Sequence, residues 1–323
     1  MNEKWIVGVD LGATTIKLAF ITYQGDLLCK WEIPTNLSDN GIYIPTEIAK
    51  AIEMKLAEMG ESKSKLAGIG IGAPGPVNLE TGIVYEAINI GWRNYPLMQL
   101  MQEETGLLVS VDNDANVASL GEMWKGAGAG ASDIVCVTLG TGVGGGVITN
   151  GELVHGISGA AGEIGHITVI PENGALCNCG KTGCLETIAS ATGIVRLAKE
   201  ALQSSNDSSV LRDVMRSTGT ITAKDVFDAA KTDAIAMAVV KTMAYHLGLT
   251  IANMANILNP EKIVIGGGVS HAGEFLLSLV QEQFTRFAFP RVAKSTKLAI
   301  ATLGNDAGVV GSAWLVIKKI GKG

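Results

Sequence analysis

The chain carries no run of lysine or arginine, and its charge balance is acidic: 25 basic against 31 acidic side chains, a formal net charge of −6. A phosphate backbone demands concentrated positive charge, so no nucleic-acid surface is expected. No apolar run approaches the length of a membrane span. Met1-Asn2-Glu3-Lys4 leads straight into a strand pattern, without the regions of a signal peptide. Charged residues are only 17% of the 323, against 47% hydrophobic, which argues against disorder and for a large core in one large or two ordinary domains. No Gly-Lys-Ser/Thr follows a suitable glycine loop, so there is no Walker A site. Of the five cysteines, three fall in one cluster. Cys29 and Cys136 lie in apolar strand patterns and read as buried small hydrophobes rather than disulfide partners, as in a reducing, cytoplasmic compartment.

What the chain does have is glycine: 41 residues, without a period, gathered at the ends of strand patterns where they read as turns around ligands. The densest such region runs from Gly162-Glu163-Ile164-Gly165-His166 to Cys177-Asn178-Cys179-Gly180-Lys181-Thr182-Gly183-Cys184-Leu185-Glu186. His166, Cys177, Cys179 and Cys184 form a donor set suited to a closed tetrahedral zinc site. The glycines and Pro171 give the loop no periodicity of its own, so a metal would supply its shape. Glu163 and Glu186 flank the ligands, and a metal that fixes the loop also fixes these carboxylates. Two readings stand: a structural zinc knuckle, or a knuckle that holds a polyhydroxylated ligand.

Two other segments share one plan. Ile6–Gly12 is a strand pattern ending in Asp10 and a glycine turn, with a second strand from Ile16. Ile134–Leu139 is likewise a strand pattern, followed by Gly140-Thr141-Gly142 and another strand through Val147. Gly140, Gly142 and Gly145 satisfy G-x-G-x-x-G, but a strand follows where a dinucleotide site needs a helix. Two strand, Gly/Thr turn, strand units suggest a duplicated βββαβα core with two phosphate-wrapping hairpins. Taken alone, the first hairpin could equally be a tight turn with a polar tip. In the phosphate reading, Asp10 beside it would hold Mg²⁺.

Asp112-Asn113-Asp114-Ala115-Asn116 joins a strand to a helix pattern. Such residues cap helices, yet one cap suffices, and strand C-termini are where open α/β sheets place ligands. Ile44 to Met59 and Pro96 to Gly106 read as helices, Leu66–Gly72 as a strand emptying into Ala73-Pro74-Gly75-Pro76, and Ala87–Trp92 as irregular around Asn89. Further on, Ile188 to Leu202, Ala223 to Lys231 and Ala234 to Ile257 read as helices, with a polar surface loop at Ser204–Ser209. Lys262–Ile265 is a strand meeting a helix through Gly266-Gly267-Gly268, which suits either a flat ring such as adenine or a close strand–helix contact. Leu298–Leu303 is a last strand before a helix running to Lys319.

With these motifs assembled, the chain resembles, nearly end to end, the sugar kinases of the ROK family and within it the bacterial glucokinases. The Cys177-x-Cys179-Gly-x-x-Gly-Cys184-x-Glu186 run with His166 upstream is the most specific element. Asp10-Leu-Gly-x-Thr, Gly72-Ala-Pro-Gly75, Asn113-Asp114-Ala-Asn116 and Leu139-Gly-Thr-Gly142 add to it. The resemblance implies an α/β, actin-like ATPase fold: two domains hinged around an ATP cleft, with the duplicated βββαβα core and the zinc loop. The expected division is a small domain at 1–117 plus 306–323 and a large one at 118–305. The implied activity is ATP-dependent phosphorylation of D-glucose at its 6-hydroxyl, in the cytoplasm, by a homodimer or dimer of dimers. Asp114 would be the general base. Gly75, Asn89, Asn113, Glu163, His166 and Glu186 would bind the sugar, His166 using one ring nitrogen for zinc and the other for the sugar. Gly12, Thr14, Thr15, Lys17, Gly140, Thr141 and Gly142 would line the ATP phosphates, Gly267 and Gly268 the adenosine, and Asp10 would organise Mg²⁺. Ala13 and Asp112 stand where many members have Gly and Glu; neither touches a named role. The family also contains sugar-responsive repressors with an added N-terminal DNA-binding domain; a hairpin starting at Ile6 leaves no room for one.

Overall fold

The structure, a computed structural model, describes residues 4–321. The leader-free start read at Met1-Asn2-Glu3 lies outside them. The chain divides into two compact units: Met1–Gly130 with Leu153–Ala161 and Leu303–Gly323, and Ala131–Glu152 with Gly162–Thr302.

The first unit opens with β1 (Trp5–Leu11), β2 (Thr15–Ile21) and β3 (Leu27–Pro34), then α1 (Ile44–Glu58) and β4 (Leu66–Ala73). A two-stranded ribbon, β5 (Val84–Ala87) and β6 (Trp92–Tyr95), precedes α2 (Leu97–Thr105), β7 (Val109–Asn113) and α3 (Asp114–Lys125). The sheet order is β3-β2-β1-β4-β7, antiparallel across the first three strands and parallel thereafter. Alternation along β1 sends Val7 and Val9 into one apolar layer and Ile6 into another. The first layer takes Ile44, Ile48, Ile52 and Leu56 from α1, spaced for one helical face.

The second unit repeats the plan. Its first strands are β8 (Ile134–Leu139) and β9 (Val143–Thr149), with the short β10 (Glu152–Leu153) at the unit boundary; its helices are α4 (Glu186–Ala189), α5 (Ala191–Ser204), α6 (Val210–Thr218), α7 (Ala223–Ala229) and α8 (Ala234–Leu258). After β11 (Lys262–Gly266) come α9 (Glu274–Phe287), α10 (Pro290–Ser295) and β12 (Lys297–Ile300). In the order β10-β9-β8-β11-β12, β9 and β8 are antiparallel and β8, β11 and β12 parallel, matching β2-β1-β4-β7 of the first sheet. The duplicated α/β core read from the two hairpins is therefore present in the folded chain.

The closing helix α11 (Ala307–Gly321) returns to the first unit. It packs so closely that a Cβ on Gly8 would lie 2.1 Å from the Val309 carbonyl oxygen and one on Gly70 1.7 Å from that of Ser312. The bare strand backbone thus reaches the helix directly, and Val9 N–H donates to Ser312 Oγ at 3.0 Å. α3 packs along α11, so the domain boundary expected at residue 117 falls inside a helix belonging wholly to the first unit.

Four local readings differ from the structure. The helix expected from Ile188 to Leu202 is two, because Ser190 leaves helical geometry to cap α5, its Oγ accepting from Gly193 N–H at 3.0 Å. Ser209 ends the polar loop by capping α6, a short helix the apolar spacing did not show. Cys29 is half-exposed on an edge strand, whereas Cys136 is buried. α8 is long and apolar enough to cross a membrane by length and composition, contrary to the expectation that no such run exists. Half of that window is buried inside the protein, and the helix packs against α5, α7 and α9.

Candidate active site

In the first unit the β1–β2 hairpin carries Asp10, Gly12, Thr14, Thr15 and Lys17. Gly12 N–H donates to the Thr15 carbonyl at 3.1 Å, and Thr35 braces the turn through its hydroxyl to the Gly12 carbonyl at 2.7 Å. Thr14 sits exposed at the tip. Lys17 Nζ lies 3.3 Å from Asp10 Oδ2, as their register across the two strands requires. That carboxylate sits against the first turn of α11, where a Cβ on Gly308 would come 2.7 Å from Asp10 Cγ.

The β7–α3 corner brings three more expected residues together. Asn113 is the helix cap: its Oδ1 accepts from Ala115 and Asn116 N–H groups, and its Nδ2 donates to the Gly75 carbonyl at 3.1 Å. Asp114 is the first helical residue, half-buried, with Oδ1 2.8 Å from Ala115 N. Gly75 has φ of +83°, and a Cβ there would lie 1.9 Å from the Glu86 carbonyl oxygen, so glycine alone lets this loop press on the ribbon. Asn89 is exposed in the turn between β5 and β6. Behind the corner lies a residue the sequence reading missed. His155 Nε2 sits 2.8 Å from Asp112 Oδ2, and the other Asp112 oxygen accepts from Asn113 N–H and Asn116 Nδ2. The available signal was scarcity: the chain has only four histidines, and this one lies eleven residues before His166.

The second unit holds the cysteine loop. The ligand atoms of His166, Cys177, Cys179 and Cys184 all lie within 4.8 Å of one another. Zinc with bonds of about 2.3 Å to sulfur and about 2.0–2.1 Å to nitrogen sets tetrahedral edges of about 3.8 Å and about 3.6 Å. Here Cys179 Sγ and Cys184 Sγ are 3.7 Å apart, and Cys177 Sγ and His166 Nδ1 are 3.6 Å apart. The donor set and its spacing fit zinc. Burial pushes the Cys177 thiol up to about 12 and raises that of Cys184, while the Lys181 backbone N–H lowers exposed Cys179.

With Nδ1 facing the thiols, the other His166 nitrogen, Nε2, lies 3.8 Å from Glu163 Oε2. Glu186 stands on the loop's other side: Oε1 is 3.5 Å from Cys177 Sγ and Oε2 accepts from Val143 N–H at 3.0 Å. The turn Gly140-Thr141-Gly142 is thereby joined to the cysteine loop, and Gly140 N–H closes it on the Gly142 carbonyl at 2.9 Å. Gly267 has φ of +81° beneath β8, and a Cβ on the exposed Gly268 would meet nothing within 4 Å, leaving a bare backbone face.

The profile of the ROK family matches residues 6–319. A glucokinase of Halalkalibacterium halodurans is 58% identical over 317 residues, 98% of this chain and 96% of its own length. A ROK hexokinase from Thermus thermophilus superposes with a TM-score of 0.84 at 30% identity, covering 99% of this chain and 100% of that one. A ROK family glucokinase from Streptomyces griseus, solved in complex with glucose and AMPPNP, gives a TM-score of 0.77 at 35% identity over 96% of this chain and 98% of that one. Hairpins, cysteine loop and whole-chain similarity converge: the chain belongs to the ROK family.

Proposed function

We propose that this protein is a glucokinase, transferring the γ-phosphoryl group of ATP to the 6-hydroxyl of D-glucose. The observation that carries the reading is the 58% identity to a glucokinase across 98% of the chain. The Streptomyces griseus relative in complex with glucose and AMPPNP supports the same pair of substrates.

Phosphoryl transfer needs positioning and charge neutralisation more than covalent chemistry. Asp114, fixed at the start of α3, takes the proton of the attacking hydroxyl. Asn113, whose Oδ1 is committed to capping, offers the sugar the second hydrogen of Nδ2. Glu163, Glu186 and His166 Nε2 accept from or share hydrogens with sugar hydroxyls, while Gly75 and Asn89 complete the contacts. Gly12, Thr14, Thr15, Lys17, Gly140, Thr141 and Gly142 turn backbone amides and hydroxyls to the phosphates, and the open face of Gly268, with Gly267, receives the adenosine. Asp10 would hold Mg²⁺, which neutralises phosphate charge when bound. His166, Cys177, Cys179 and Cys184 would hold a zinc whose four protein ligands leave no open position, so its contribution is to shape the loop.

A sugar lacking a hydroxyl that these carboxylates expect covers a charged acceptor and leaves it unpaired, at about 1–3 kcal/mol. The test is ADP release at saturating ATP and Mg²⁺ across glucose, fructose, N-acetylglucosamine and N-acetylmannosamine. We expect glucose to have the highest kcat/KM. An N-acetylated hexose that beats glucose tenfold overturns the substrate, and no stimulation by any hexose overturns the kinase.

A further inference from the structure

Glu186 belongs to two structures at once. One carboxylate oxygen faces Cys177 in the cysteine loop, and the other accepts the Val143 N–H in the glycine turn assigned above to the donor phosphates. The same short segment fastens that turn twice more: Ala191 N–H donates to the Gly140 carbonyl and Thr192 Oγ1 to the Thr141 carbonyl, each at 2.8 Å. Gly142 makes this arrangement possible. A Cβ there would lie 2.4 Å from Glu186 Oε2 and 3.3 Å from its Cδ, although φ at Gly142 is not positive and the backbone accepts alanine. An added methyl group therefore displaces the carboxylate and removes its bond to Val143, while the Ala191 and Thr192 bonds to the turn remain.

We infer that Glu186 couples the donor turn to the acceptor loop, and that Gly142, although it lies in the phosphate turn, is a specificity-determining position for the sugar. The inference rests on the proposed function for the identity of the two ligands. A ligand that settles Glu186 also settles the Val143 amide and the turn behind it, so hexose and nucleotide bind more tightly together than apart, each by the same factor.

The experiment measures binding of glucose and of a non-hydrolysable ATP analogue, each alone and in the presence of the other, in the full chain and in Gly142→Ala. In the variant, glucose affinity falls about tenfold and the mutual enhancement of the two ligands collapses towards one. Loss of nucleotide affinity with glucose affinity intact overturns the inference, as does unchanged affinity for both. Amide hydrogen exchange supplies a readout independent of either ligand. Exchange at Val143 accelerates at least about tenfold in Glu186→Ala and stays slow in Glu186→Gln, which keeps an acceptor oxygen. A slow Val143 amide in Glu186→Ala also overturns the link. If the unaltered chain binds no hexose, the kinase reading fails, and the exchange result still decides whether Glu186 holds the turn.

Discussion

His155 Nε2 lies 2.8 Å from Asp112 Oδ2, and that carboxylate, 3% exposed, in turn holds the corner that presents Asn113 and Asp114. Asp112 departs from the family pattern with no role legible in the sequence; its buried side chain ties the segment Leu153–Ala161 to the end of β7. Removing the imidazole takes a partner from a buried acceptor, a loss of about 1–3 kcal/mol. His155→Ala should lower kcat for glucose phosphorylation by about 10–100-fold with KM for ATP unchanged, and His155→Gln, which keeps an N–H donor, should recover much of it. Equal kcat in His155→Ala and the unaltered enzyme would show that the pair does not position the base.

Asp114→Asn removes the proton acceptor and keeps an oxygen for the Ala115 N–H that the carboxylate now receives. Turnover should fall by about 10²–10⁴-fold, with glucose affinity, melting temperature and zinc content retained. Near-normal turnover in the purified variant assigns the base elsewhere.

Elemental analysis should find one zinc per chain. Cys179 is the exposed member of the cluster, so Cys179→Ser disturbs the core least while removing a ligand. Zinc content and glucose affinity should fall together, because Glu163 and Glu186 flank the ligands on the same loop. Full glucose affinity in a zinc-free protein would separate the metal from the sugar site.

Asp233 provides a test of stability. Burial opposes its ionisation, but hydrogen bonds from Ser209, Ala236, Val210 and Ile235 outweigh burial and hold its carboxyl below the usual range. A carboxyl depressed in the folded state stabilises above its unfolded value, about 3.9, and that stabilisation is lost as pH falls through the lower folded value. Asp233→Ala should therefore cost about 1–2 kcal/mol at pH 7, from the cap on α8 and the brace to α6, and progressively less below about pH 4. Urea titrations at both pH values would show a constant difference if the carboxylate charge were irrelevant.

The parts of this protein visible in its sequence are those where a local pattern and a chemical requirement coincide. The two Gly/Thr hairpins declare themselves because each strand alternates around a turn that only small residues can make. The cysteine loop declares itself because three soft thiol donors recur at short spacing, with a histidine upstream, in a stretch without periodicity. His155 was invisible because its partner is 43 residues away and His155 itself belongs to no spacing motif. The break at Ser190 was invisible because a serine inside an apolar helical period looks tolerable until its hydroxyl takes the Gly193 amide. The joint between Glu186 and Val143 depends on a side chain reaching a strand backbone, which no periodicity encodes.

Helix α11 follows every other described element along the chain and is a wall of the first unit. Strand β1 leaves the ribosome early, yet the hydroxyl that receives the Val9 amide follows 303 residues later. Every segment of the second unit, Ala131–Glu152 and Gly162–Thr302, is synthesised before α11 emerges. Maturation during synthesis therefore runs against the usual N-terminal-first order. Chains truncated after Thr302 should resist protease across the second unit and be cut between β1 and α3, and chains extended through α11 should be protected across both. Until that moment the bare strand glycines Gly8 and Gly70 face water without their helix, which makes the arrival of α11 the step that commits β1 and β4.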